Sequence, residues 1–165
     1  MTLARLIATF FGAGLLRPAP GTWGSLAALP AAWGLHVLGG PVLLIAATAA
    51  VTWLGWWATV QETAGKSDPD PGEIVIDEVA GMWVALWPVS LGAAWAGVAV
   101  TALWPGIVAA FVLFRAFDIL KPGPVGAADR RGDAGGVMLD DLWAGALAAT
   151  GVVVLAAVFH LWVMA

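Results

Sequence analysis

Asp77 and Glu78 stand side by side where a polar loop gives way to an apolar run without Asp, Glu, Lys or Arg that lasts to Phe114. A carboxylate next to hydrocarbon is costly unless it is paired, hydrogen-bonded or bound to a cation, and two neighbours also repel each other. Helix capping by Asp77, with Glu78 favoured in the first turn by the macrodipole, accounts for one acid of the pair. The arrangement recurs at Asp140-Asp141, and each pair is followed by a glycine, Gly81 and Gly145. Asp118 is placed differently. It lies near the end of a helix that Pro122 and Pro124 terminate, where the macrodipole disfavours an anion. Arg115, three residues earlier, is its alternative partner. Five carboxylates drawn from three helix ends suit a hard divalent cation such as Mg²⁺, which keeps water and phosphate oxygens in its shell.

Pro20-Gly21-Thr22-Trp23-Gly24-Ser25 complements the acids. Glycine lets the backbone approach a ligand closely, hydroxyls donate, and a helix start offers unpaired N–H groups to an anion. Gly21, Thr22, Gly24 and Ser25 are therefore candidate phosphate contacts, although Thr22 or Ser25 capping the following helix explains the same residues. Arg115, Lys121 and Arg130 are candidate phosphate partners, with Arg130-Arg131 equally suited to anchoring at lipid headgroups. His36 and His160 sit inside apolar runs away from the charge, and there is no Cys, so histidine and thiol nucleophiles drop out. Carboxylate-and-metal chemistry on a phosphate remains.

The elements that must hold these residues are membrane elements. Of 165 residues 61% are hydrophobic and 11% charged, about half the charge usual in a soluble domain. Eleven Trp suit an interfacial belt. Fold class is accordingly an all-α integral membrane protein, one domain over 1–165, with about five transmembrane helices. A short N-terminal helix over 3–16 is too short to span and is expected to be interfacial or re-entrant. The segment Met1 to Leu16 has the outline of a signal peptide but no convincing small-residue cleavage site, so it is expected to stay. Helices are expected at about 25–38 and 42–60 around a Gly39-Gly40-Pro41 turn. A second hairpin turns at Trp104-Pro105-Gly106, with Pro88 as a kink and 88–95 as the competing turn, and a last helix covers 142–165. All of the seven Lys and Arg and eleven Asp and Glu except Arg5 fall at Arg17, in 62–78 or in 115–141. Each gap allows an even number of crossings, so all this charge fits one face, which the positive-inside rule makes cytoplasmic. No basic tract suggests nucleic acid.

Four segments carry a resemblance. Pro20-Gly-Thr-Trp-Gly-Ser-Leu-Ala-Ala-Leu-Pro30, Ile74-Val-Ile-Asp-Glu-Val-Ala-Gly-Met-Trp83, Phe114-Arg-Ala-Phe-Asp-Ile-Leu-Lys-Pro122 and Asp140-Asp-Leu-Trp-Ala-Gly145 resemble the phosphatidylglycerophosphatase A family, as do Asp129-Arg130 and Gly135-Gly136. The resemblance covers about residues 10 to 150, with Val125 where the family often has Ile. It implies a bacterial inner-membrane enzyme, its site facing the cytoplasm, that uses Mg²⁺ to remove the terminal phosphate of phosphatidylglycerophosphate. The five acids would then hold Mg²⁺ and position or deprotonate the attacking water, with the Gly21–Ser25 segment, Arg115 and Lys121 on the phosphate. A small ion or lipid transporter using the acids as a cation relay is the alternative. A relay calls for charged groups near the bilayer midplane, and the apolar runs carry no Asp, Glu, Lys or Arg.

Overall fold

A computed structural model describes residues 1–66, 68 and 70–164; Ser67 and Pro69 of the acidic loop and Ala165 lie outside it. Among the described residues all regular structure is helical: α1 (Leu3–Ala8), α2 (Pro20–Thr63), α3 (Ile76–Ala96), α4 (Trp104–Leu120), α5 (Pro124–Asp129) and α6 (Ala134–Met164), with single 3₁₀ turns at Ala13–Leu15 and Val100–Leu103. The all-α expectation holds. Four helical stretches, Pro20–Thr63, Ile76–Ala96, Val100–Leu120 and Ala134–Val163, are long and apolar enough to cross a membrane.

α2 is a hairpin. Gly39 and Gly40 leave helical geometry, Gly40 at φ 63°, and Pro41 opens the second arm, as the sequence predicts. The Trp83 indole donates to Ala28 O at 2.9 Å, while Trp87, one turn further along α3, donates to Thr48 Oγ1 at 3.2 Å. A straight helix would separate residues 28 and 48 by about 30 Å. Leu29 and Leu44 also line one small cavity, so the arms 20–38 and 41–63 run antiparallel.

Three boundaries differ from expectation. The N-terminal helix stops at Ala8 because Phe10, Phe11 and Gly12 all adopt positive φ, so 3–16 is not one helix. The second hairpin turns at 97–103: Gly97, at φ 67°, caps α3 by donating to Ala93 and Ala94 carbonyls, and Trp104-Pro105 opens α4 instead. Pro88 lies within α3, so the competing turn at 88–95 is absent. The last helix begins at Ala134, not 142, because Asp133 caps it: its Oδ1 accepts from Gly136 N–H at 2.6 Å.

α3 is the central helix. Every residue from Val79 to Leu86 is buried, more than two full turns and so its whole circumference, whereas the outer elements expose Val37, Leu38, Val112 and Phe159. Trp95, Trp104 and Trp162 are exposed at the end opposite the acids, and Trp56 and Trp143 nearer to them.

Candidate metal and phosphate site

Two glycines bring the acids together. At the α3–α6 crossing a Cβ on Gly81 would overlap the Asp141 carbonyl and lie 2.6 Å from the Phe114 ring, and one on Gly145 would overlap the Gly81 carbonyl. The backbones touch, so the residues one turn earlier, Asp77 and Asp141, face each other. Carboxylate oxygens of Asp77, Glu78 and Asp141 all lie within 4.8 Å of one another. Asp77 and Asp141 are buried, and Glu78 is nearly so.

The first arm of α2 closes one side. Pro20 starts the helix with Ala19 as its cap residue, so Thr22 and Ser25 lie within the first turns and neither caps it. A Cβ on Gly21 would overlap Glu78 Oε1 and sit 3.2 Å from Arg115 Nη1, so Gly21 lies against the cluster. Gly24 does not: its face packs on Val75, where a Cβ would sit 2.6 Å away. Thr22 is half-buried beside Gly21. Buried Ser25 donates to Gly21 O at 2.8 Å and accepts from Arg115 at 3.5 Å.

Each cation near the cluster is shared by two acids. Arg115 Nη1 is 2.5 Å from Asp118 Oδ2 and 3.9 Å from Glu78 Oε1. Lys121 holds Asp129 and, at 2.9 Å, Asp140 Oδ2. Burial works against the Lys121 charge, but the bonds to Asp129 and Asp140 outweigh it and hold the ammonium above the usual lysine range. Among the described residues Asp77 and Asp141 have no basic side chain within 4.0 Å, and exposed Arg130 pairs with no acid. The structure therefore divides the five acids into a trio, Asp77, Glu78 and Asp141, in which only Glu78 approaches a cation, at 3.9 Å, and two neighbours, Asp118 and Asp140, bound closely to cations. Asp140 and Asp141 also lie two turns inside α6, so capping explains neither.

The donor set fits a metal. Glu78 Oε2 and Asp141 Oδ1 are buried and lack any hydrogen-bond partner, a costly state that a cation relieves. Oxygen-only donors select a hard divalent ion. Arg115 Nε, also buried and unpartnered, leaves a donor beside them for an anion.

The phosphatidylglycerophosphatase A family model matches residues 6–156. This chain belongs to the phosphatidylglycerophosphatase A family. A Haemophilus influenzae phosphatidylglycerophosphatase A is 38% identical over 161 residues, 96% of this chain and 90% of the relative. The Escherichia coli K12 phosphatidylglycerophosphatase A is 34% identical over 145 residues, 87% and 78% of the two chains. A Bacteroides thetaiotaomicron protein whose name proposes a phosphatidylinositol-3-phosphatase is 37% identical over 144 residues, 85% of each. No solved structure matches. Family membership makes the chain a lipid phosphatase, a hydrolase of phospholipid biosynthesis, and removes the transporter alternative.

The sequence reading missed three parts of this site. Asp129 is the second partner of Lys121, and Asp133 sets the start of α6 and hence the depth of Asp140 and Asp141. Gly14, whose added Cβ would overlap the Glu73 carbonyl, lets the N-terminal segment lie against the chain entering α3. The motif Asp-Asp-Leu-Trp-Ala-Gly does carry a signal for the crossing: an acid four residues before a glycine, as in Asp77 and Gly81.

Proposed function

We propose that this phosphatase removes the terminal phosphate of phosphatidylglycerophosphate, giving phosphatidylglycerol and phosphate, with Mg²⁺ held by Asp77, Glu78 and Asp141. The observation carrying this reading is the pair of unpartnered buried oxygens, Glu78 Oε2 and Asp141 Oδ1, next to Gly21 and Arg115 in a lipid phosphatase. When bound, the ion supplies positive charge for the phosphate oxygens and favours ionisation of water. Gly21, lacking a Cβ, lets the start of α2 lie directly against the Glu78 carboxylate and Arg115. Arg115, held by Ser25 and Asp118, presents its guanidinium to the phosphate and stabilises charge that builds up during transfer. Asp140 and Lys121 fix the end of α4 against α6. In the balanced reaction the bond between phosphorus and the glycerol oxygen breaks, water oxygen bonds to phosphorus, and a water proton ends on the glycerol oxygen.

The chain forms one membrane-embedded domain, with the two arms of α2, α3, α4 and α6 as five crossings and α1 at the interface. The first arm, 19 residues at 1.5 Å, is about 28 Å long and matches a hydrocarbon core of about 30 Å. By the positive-inside rule, Arg17, Lys66, Arg115, Lys121, Arg130 and Arg131 support a site facing the cytoplasm across the bacterial inner membrane. Phosphate release from detergent-solubilised phosphatidylglycerophosphate, with Mg²⁺ and with chelator, tests both parts. Turnover that survives chelation removes the metal; no turnover on any phospholipid monoester removes the substrate class.

A further inference from the structure

A groove of about 470 Å³ runs down the outside of the bundle between the second arm of α2, α3 and α6. Thr48, Thr52 and Trp56 form one wall, Val84 and Trp87 its floor, and Leu142 its other wall. We propose that this groove seats one acyl chain of the lipid substrate while the phosphate meets the carboxylates; the proposal rests on the lipid phosphomonoesterase reading above.

Three observations select that occupant. The groove's hydroxyls are already bonded: Thr48 donates to Leu44 O at 2.7 Å and accepts from Trp87, and Thr52 donates to Thr48 O at 2.8 Å. Every hydroxyl is thus committed, and an apolar ligand fits. Continuity is the second observation. Leu142 directly follows Asp141, and Val84 lies seven residues beyond Asp77 on α3, about 10 Å along the axis. A scissile phosphate separated from the acyl esters by two glycerols and a phosphodiester needs an offset of that order. Third, a Cβ on Gly55 would lie 3.0 Å from the Ile76 and Met138 side chains, so the second arm packs closely beside the cluster. From there the groove extends away along it, from Trp56 to Ile45, about 17 Å at 1.5 Å per residue. An acyl chain is a long, thin apolar body of this kind. Since lipid is as apolar as the groove, seating gains contact and alignment rather than the hydrophobic effect, so the groove orients the substrate.

The test combines kinetics with labelling. Ala49 is exposed on the groove wall, and Ala49→Trp would fill it without burying anything new. In mixed micelles at fixed lipid fraction, this variant should raise KM for phosphatidylglycerophosphate about tenfold with kcat within about twofold, the pattern of lost substrate binding. In the unmutated protein, a phosphatidylglycerophosphate with a photoreactive group mid-chain should label 45–56 and 84–87, competed by the unlabelled lipid and not by phosphatidylcholine. Labelling spread evenly over Val37, Val112 and Val158, or competed equally by phosphatidylcholine, identifies a surface for bulk lipid and overturns the proposal. So does an Ala49→Trp protein with unchanged KM. If the unmutated protein releases no phosphate from this lipid, the underlying reading falls first, and the groove assignment with it.

Discussion

Gly21→Ala should leave a folded protein that turns over about 100-fold more slowly. A Cβ there overlaps Glu78 Oε1 and lies 3.1 Å from Glu78 Cδ and 3.2 Å from Arg115 Nη1. Restoring a normal C···O separation of about 3.3 Å makes the carboxylate retreat by about 1 Å. A displacement of that size in a reacting constellation costs about 100-fold in rate, or about 2.7 kcal/mol of barrier. Stability moves less. Helix propensity favours Ala over Gly by up to about 1 kcal/mol, against about 1–3 kcal/mol of overpacking that a mobile carboxylate partly absorbs. The net loss is at most about 2 kcal/mol. Three measurements check it: kcat/KM for phosphate release, Tm with chelator, and the rise in Tm on adding Mg²⁺. Turnover should fall about 100-fold and the Mg²⁺-induced rise should shrink, with Tm in chelator nearly unchanged. Gly145→Ala is the control, because a carbonyl of α3 blocks its Cβ and backbone cannot retreat; there the loss should appear as unfolding. A Gly21→Ala enzyme with normal kcat/KM and a full Mg²⁺ response would refute the placement of Gly21 against the metal site.

Asp141→Asn and Asp118→Asn should have stability effects of opposite sign in chelator. Asp141 has no cation partner, so its amide relieves repulsion and raises Tm while abolishing the Mg²⁺ response; Asp118 is 2.5 Å from a mostly buried Arg115, so its amide should cost about 2 kcal/mol. Equal Tm shifts in the two variants would contradict the division of the acids. Asp133 is held below the usual carboxylate range by the Gly136 N–H and then by Arg131. A depressed pKa gives stability that is present above the ordinary Asp value of about 3.9 and lost as pH falls through the folded value. Asp133→Ala should therefore lower Tm at pH 7, with the difference from the unmutated protein closing below about pH 4; a gap constant with pH would exclude the charged cap. Because the chain has no Cys, single cysteines report topology directly: Lys66→Cys and Gly132→Cys should label from one side and Gly40→Cys from the other. Labelling of 66 and 132 from opposite sides would separate the proposed ligands.

Legibility followed the range of the forces involved. Charge segregation needs only the sequence, and it places Arg115, Lys121 and all five acids at one end of the bundle, as found. Gly39-Gly40-Pro41 is equally local, since a positive φ next to a proline ends a helix without outside help. Gly135-Gly136 shows the limit. Two helix-weakening residues hide a helix start that Asp133 makes through one side-chain bond. Phe10 and Phe11 at positive φ are less readable still, because both have strong preferences against it and it is the turn's own backbone bonds, Phe10 N–H to Ile7 O and Phe11 N–H to Leu6 O, that close it. The site divides the same way. That acids gather is legible, and so is Arg115 three residues before Asp118; that Asp140 is paired while Asp141 is not is illegible, because Lys121 reaches Asp140 from another helix.

That division ties the proposed metal to the fold. Of six carboxylates, Asp77, Glu78, Asp118, Asp129, Asp140 and Asp141, four share two cations, and both cations lie on the α4 side. The α3–α6 crossing, where backbones touch through Gly81 and Gly145, receives none of that compensation at Asp77 or Asp141. Close packing there forces two buried acids toward each other. The crossing is stable alone only if a proton or a cation relieves the repulsion. A divalent ion binding only the assembled crossing stabilises the fold in proportion to its occupancy. Swapping both acids for amides removes the repulsion without the ion. Asp77→Asn with Asp141→Asn should therefore raise Tm in chelator above that of the unmutated protein, and Mg²⁺ should no longer change it. If the double variant is less stable in chelator, the two carboxylates are structural partners of groups other than a cation.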